Sequence, residues 1–375
     1  MYKTIYPLKD STLYSQANEQ NTGVDQILEI SKEAVGSPSL EGDSTVYYAA
    51  TYNSRVLIQF DLTDISSSVV SGKINSNARF YLNLRATEAI ALPVNYTLYA
   101  YPVSGSWSNG RGFFNNNPII TDGVSWKYRD SKLDTKIWST SSYNSTSTGS
   151  FGTIPGGGNW YTSSVCSQSF NHELPDVRMD VTDIVKRWLS GSIQNNGFMV
   201  KLSDNIEQDT SVFGSIKFFS VESHTIFLPK LEVVWDNSDL SGTGSFTEVS
   251  SDDFVLYLKN LREGYKEQEK PKVRIGVRDR YPQQTYATSS NYLISKRLPT
   301  GSYFQIQDTE TDEIIVYYDD IGTKINCDAQ GNYFQLDCSS LMPERYYKVV
   351  FKSIFDGGDT IRVVDENYIF RIQRG

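Results

Sequence analysis

Arg55-Val56-Leu57-Ile58-Gln59-Phe60-Asp61 places Val56, Ile58 and Phe60 on one face at a spacing of two. That period marks a strand with one buried face. Arg79-Phe80-Tyr81-Leu82-Asn83-Leu84-Arg85 repeats it, with Phe80, Leu82 and Leu84 inward and Tyr81 and Asn83 outward. Residues 96–101, 198–202 and 231–235 do the same. Such strands, spaced by Asn, Gly, Ser and Pro, predict an all-β sandwich or jelly roll. Composition agrees: 25 tyrosines and an aromatic share of 13% suit a pleated, half-buried surface.

One segment has a helical period instead. Val181, Ile184, Val185, Trp188 and Leu189 form one face, Asp180 can cap the first turn and Gly191 supplies a stop. A single short helix against a β fold is expected there. The polar run 141–150, followed by Pro155-Gly156-Gly157-Gly158, is a long excursion, and the loop 139–160 is expected to touch another subunit or a second protein. Asp236-Asn237-Ser238-Asp239-Leu240-Ser241-Gly242-Thr243-Gly244-Ser245 reads as a linker, and all six tryptophans precede it. The expected organisation is therefore a jelly-roll-like β-sandwich over 1–236, a linker over 237–250, and a smaller immunoglobulin-like β-sandwich over 251–375. In the last of these, Lys272-Val273-Arg274-Ile275-Gly276-Val277-Arg278 alternates, and Asp356-Gly357-Gly358-Asp359 signals a hairpin.

Chemistry is hard to find. The net charge of −9 gives no general reason to bind nucleic acid, and the basic stretch 259–280 reads as solvated strands. His172 and His224 are the only histidines, and neither stands at metal-ligand spacing. There is no nucleophile elbow and no phosphate loop, and the acidic run 308–313 lacks the spacing of a calcium loop and reads as a solvated turn. The expectation is no enzyme, no catalytic residue, no cofactor and no metal. Cys166, Cys327 and Cys338 are too few for a disulfide framework; Cys327 and Cys338 could pair with each other, but two free buried thiols are the favoured reading. Met1-Tyr2-Lys3-Thr4-Ile5-Tyr6-Pro7 carries no signal-peptide run, and no stretch is long enough to cross a bilayer, so a chain made in a reducing cytoplasm and away from membranes is expected. Exposed tryptophans can stack on sugars. Trp107, between Ser106 and Ser108 and beside Asn109-Gly110, is the ring most open to such a role, whereas Trp126, Trp188 and Trp235 read as core.

Several motifs carry a resemblance over the first 236 positions. They are Asp10-Ser11-Thr12-Leu13, Asn21-Thr22-Gly23, Arg55 through Leu62, Ala78 through Leu84, Gly123-Val124-Ser125-Trp126, Asp180 through Trp188, and Asn196-Gly197-Phe198. In this order they resemble the disaggregatase-related β-sandwich family, the DNRLRE module, which implies a jelly roll like those of carbohydrate-binding modules. That family's usual members are secreted or cell-surface proteins. The opening Thr4 through Tyr14, with Gly331-Asn332-Tyr333-Phe334 and Pro343-Glu344-Arg345-Tyr346-Tyr347-Lys348, is similar to virion structural proteins of large tailed phages. This second resemblance implies assembly in a host cytoplasm and a place in the virion's neck, collar, tail or fibre region. The partners it implies are other virion proteins and copies of the chain itself, with a glycan-binding adhesin that holds a host surface glycan as the alternative.

Overall fold

The computed structural model describes residues 1–41, 44–131, 136–138, 156–171, 174–209, 211–251, 253–282 and 294–375, and for 35–41 and 44–50 it describes the backbone. Residues 139–155, most of the loop expected to contact a neighbour, lie outside the described residues, as does His172. The protein is all-β, with few helices. It forms two compact units: Ile5–Ser71 with Arg79–Glu232, and Val233–Gly375 with Met1–Thr4 and Gly72–Ala78.

The second unit thus takes in pieces that the sequence places elsewhere. In β1 (Tyr2–Ile5), the Tyr2 ring is buried in that unit's core and its hydroxyl donates to the Asp337 carbonyl at 3.3 Å. Residues 237–250 are bound into the same unit. Cys327 N–H donates to the Asp239 carbonyl and Gly242 N–H to the Cys327 carbonyl, each at 2.8 Å, and Val249 is buried. Polar, Gly-rich composition here reflects tight turns against a sheet rather than a free tether.

In the first unit the chain runs through β2 (Pro7–Tyr14), β3 (Ile27–Glu41), β4 (Ser44–Phe60), β5 (Arg79–Leu84), β6 (Ala86–Ile90) and β7 (Asn95–Pro102). It continues through β8 (Tyr128–Asp130), β9 (Lys136–Ile137), β10 (Cys166–Asn171), β11 (Val177–Asp180), β12 (Phe198–Lys201), β13 (Gly214–Phe219) and the first three residues of β14 (Lys230–Val234). β4 is the central strand. Its C-terminal half lies between β2 and β12, and β7 and β10 follow; its N-terminal half pairs with β3, which leads on to β13 and β6. Val56, Ile58 and Phe60 point into the sandwich, as do Phe80, Leu82 and Leu84 of β5, which pairs with β11. The other face of β4 is not open to water: Arg55 and Leu57 are buried too. The sheet is covered on both faces, which its alternating pattern does not announce.

The expected helix is α2 (Thr182–Leu189), with Ile184, Val185 and Trp188 buried and Asp180 accepting the Thr182 N–H at 2.9 Å. Among the described residues two further α-helices stand where the sequence predicts none: α1 (Thr63–Val70) and the one-turn α3 (Asp204–Gln208). In α1, Asp61 accepts the Thr63 N–H at 2.9 Å in the way Asp180 does in α2.

The second unit is a sandwich of two sheets. Its strands are β15 (Phe254–Leu258), β16 (Gly264–Lys266), β17 (Lys272–Asp279), β18 (Gly301–Asp308), β19 (Ile314–Val316), β20 (Asn326–Asp328), β21 (Gly331–Gln335), β22 (Tyr346–Phe355) and β23 (Thr360–Gln373). They form the sheets β15-β17-β21-β20 and β16-β23-β22-β18-β19. Val273, Ile275 and Val277 from one sheet meet Phe304, Phe351 and Phe370 from the other in a single core. The hairpin expected at 356–359 joins β22 to β23, with Phe355 opposite Thr360.

Candidate functional site

The covered outer face of the β2-β4-β12-β7 sheet carries most of the unusual chemistry. Leu13, Leu57 and Met199 project from it into a second apolar cluster with Val103, Trp107, Val124, Trp126, Trp138 and Trp160. One side chain fixes this tryptophan layer in place. Asn21 is fully buried. Its amide donates to the Asn109 and Val124 carbonyls, both at 2.7 Å, and its Oδ1 accepts Gly112 N–H at 2.7 Å and Gly23 N–H at 3.1 Å. Gly23 beside it lies so close to the loop that a Cβ would fall 2.0 Å from the Asn109 carbonyl oxygen.

Between layer and sheet runs a charged seam. Arg55, 1% exposed, and Glu207, 3% exposed, form a two-pronged pair at 3.0 and 2.7 Å, and Arg55 Nη1 donates to the Gly157 carbonyl at 2.6 Å. The guanidinium lies 4.6 Å from the Trp126 ring centre and 5.2 Å from that of Trp160. Gly157 has φ +81°, and a Cβ there would meet Arg55 at 2.4 Å, so the glycine run is a close-approach device over this cation. Lys201 is fully buried and reaches Asp204 at 2.6 Å and Glu207 at 3.0 Å. Lys32, also buried, binds the Asp209 carboxylate at 2.5 Å and the carbonyls of Ile206 and Asp209 at the end of α3. Each cation has an anion. A seam matched in this way holds the tryptophan layer to the sheet.

Beside α3 a cavity of about 490 Å³ opens between β7, β10 and the start of the helix. Asn95, Thr97, Tyr99, Ser169 and Asn171 give it a polar lining, and Tyr96 stacks on Phe170 with ring centres 4.7 Å apart. Tyr96 is among the lining residues, but its hydroxyl is buried away from the opening without a hydrogen-bond partner, and burial pushes its pKa up to about 12.

Trp107 is not the exposed ring its neighbours suggest. It is 4% exposed, its indole N–H donates to the Asn196 carbonyl at 2.8 Å, and the Lys9 ammonium lies 4.1 Å above the ring centre. The polar residues around it bind the loop inward onto the sheet. The other five tryptophans are buried as well, Trp126, Trp188 and Trp235 among them as expected. His224 is exposed. Cys327 and Cys338 are free and buried, and burial pushes the Cys338 thiol up to about 12, far from a reactive thiolate. Asp308, in the acidic turn expected to be solvated, is buried and held by Arg345 at 2.8 Å. No group of three metal-ligating side chains occurs among the described residues.

The last feature is a backbone one. β3 and β4 stay in register from Lys32↔Asn53 to Glu41↔Ser44. β13 pairs with β3 only up to Lys32, and β2 with β4 only down to Ser54. Residues 33–41 and 44–52 therefore form a two-stranded arm of roughly 30 Å, and among the described residues no third strand pairs with either edge. The sequence 33–52 has three acidic residues and no basic one.

No protein-family model matches the chain, and a comparison with curated proteins finds no match.

Proposed function

We propose that the chain is a non-enzymatic structural protein of a tailed-phage virion, from the neck, collar, tail or fibre region, acting through protein–protein interfaces. The arm over 33–52 is the observation that carries this reading. A two-stranded ribbon is marginal by itself in water, and its unpaired edges invite another chain. A fold that extends such a ribbon beyond its sheets gains from a neighbour that covers it. The motif resemblances to the DNRLRE module and to phage virion proteins point the same way, with other virion proteins and further copies of the chain as partners. Two measurements test the reading. A mass-spectrometric census of purified particles should contain the chain, and replacing residues 35–50 by a short turn should leave the protein folded yet exclude it from particles. Normal incorporation of the shortened chain would sink the proposal.

The glycan-binding adhesin is the second reading. With Trp107 buried, what favours it is the cavity beside α3, lined by the amides of Asn95 and Asn171, the hydroxyls of Thr97 and Ser169 and the Tyr99 ring.

A further inference from the structure

We infer that the outer edge of the arm's second strand, Thr45 to Thr51, pairs antiparallel with the same edge of a second copy of this chain. The inference rests on the interface reading above and names the partner.

The backbone fixes which groups face outward. The Lys32 carbonyl accepts from Phe213 N–H at 3.0 Å, and the Asn53 carbonyl accepts from Ser15 N–H at 3.0 Å. Both members of the Lys32↔Asn53 pair therefore turn away from each other. In an antiparallel ladder such pairs alternate with bonded ones, and the register runs unbroken to Glu41↔Ser44. The backbone polar groups of Ala34, Gly36, Pro38 and Leu40 accordingly face outward along the free edge of β3, and those of Thr45, Tyr47, Ala49 and Thr51 along the free edge of β4.

The two edges differ. On the β3 side, Pro38 has no N–H to offer, and Gly36 beside it weakens a strand. Only the β4 side presents an unbroken row of donors and acceptors. Its sequence, Ser44-Thr45-Val46-Tyr47-Tyr48-Ala49-Ala50-Thr51-Tyr52, has no charge, no Pro and no Gly. It lacks the lysines and prolines with which exposed edges usually repel other strands, and its residue types favour strands.

Self-pairing suits this edge. A two-fold axis through Tyr48 sets Thr45 opposite Thr51 and Tyr47 opposite Ala49, so every outward group finds a partner. No like charges meet across the axis, although the whole chain carries −9. Because Pro38 interrupts the far edge, the resulting four-stranded arm sheet closes as a dimer and does not grow into a fibre.

The test uses the purified full chain. Light scattering should give twice the single-chain mass of 42.4 kDa. Ala49→Pro removes one outward N–H and no rung of the hairpin, and should return the mass to that of one chain. Tyr48→Cys should cross-link to a dimer on mild oxidation, whereas Thr45→Cys, whose partner would be Thr51, should not. A single-chain mass for the unaltered protein, a dimer indifferent to Ala49→Pro, or equal cross-linking at positions 45 and 48 would each overturn the inference. The interface reading is judged separately, because the shortened arm is tested in particles. Exclusion from particles together with a monomer in solution would keep that reading and discard self-pairing.

Discussion

Arg55 and Glu207, 152 residues apart in sequence, meet in a two-pronged buried ion pair beneath Trp126 and Trp160. The pair joins the central strand of the first unit to the short helix α3, and the Gly157 carbonyl closes over it. Burying two charges is expensive, and geometry this complete is what makes it tolerable. Breaking it from one side is a different matter. Arg55→Met should destabilise the unit by up to about 3–5 kcal/mol, because the buried Glu207 carboxylate loses both prongs of its fork and is left with Lys201 alone. Urea unfolding measures this, and a loss below about 1 kcal/mol, the level of an exposed pair, would show that water reaches the seam.

A second test concerns Asn21. Its four hydrogen bonds reach the backbone of three separate loop positions and of Gly23. Asn21→Ala leaves those buried groups without partners, at about 1–3 kcal/mol for each that water cannot satisfy. Melting should fall by several degrees, and tryptophan emission should shift to the red as the layer over the sheet loosens. An unchanged emission maximum would mean that the tryptophan cluster holds the loop without this side chain.

How much of this could be read in the sequence varies by feature. The strands at 55–61 and 79–85 were legible because period two survives in any environment. The helix at 182–189 was legible because five apolar residues keep to one face. Helix α1 went unseen although Asp61-Leu62-Thr63-Asp64-Ile65 repeats the opening of α2, Asp180-Val181-Thr182-Asp183-Ile184, almost letter for letter. After Ile65 the sequence turns to serines and exposed valines, so there was no second turn of apolar residues to notice. Trp107 misled because Ser and Asn-Gly neighbours signal a turn but not which way the turn faces. The seam of Arg55, Lys201 and Glu207 had no signal at all, since residues this far apart are joined only by the fold. The arm was hidden for a related reason: strand pairing shows in sequence, but the lack of a third strand does not.

Asp10 contributes to the pH dependence of the first unit's stability. Burial raises its pKa from the ordinary 3.8 to about 7, against the opposing bonds from Val221 N–H and the Ser220 hydroxyl. Between those two values the folded state holds a proton that the unfolded chain has released, so stability must fall as pH climbs through this window. Asp10→Asn cannot ionise, and its unfolding free energy should lose that downward slope between about pH 4 and pH 7. Parallel pH profiles for the two proteins would place the Asp10 carboxylate in contact with water.

The last prediction separates the two functional readings. A sugar-binding ring must show its face to solvent, and Trp107 does not; Trp107→Ala should therefore act on folding, at about 3–5 kcal/mol, as truncations of buried aromatics do. Tyr99 is the better probe of the adhesin reading, because it lines the open cavity and is only partly buried. On the interface reading a panel of bacterial surface glycans gives no binding, and Tyr99→Ala changes neither melting nor incorporation into particles. Suppose instead that one glycan binds, and that Tyr99→Ala abolishes the binding while the melting curve stays in place. The cavity beside α3 would then be the working surface, since an aromatic platform adds about 0.5–1.5 kcal/mol beyond its buried area and its loss is visible in a titration. The arm would in that case serve to hold the protein on the particle, and the adhesin reading would take first place.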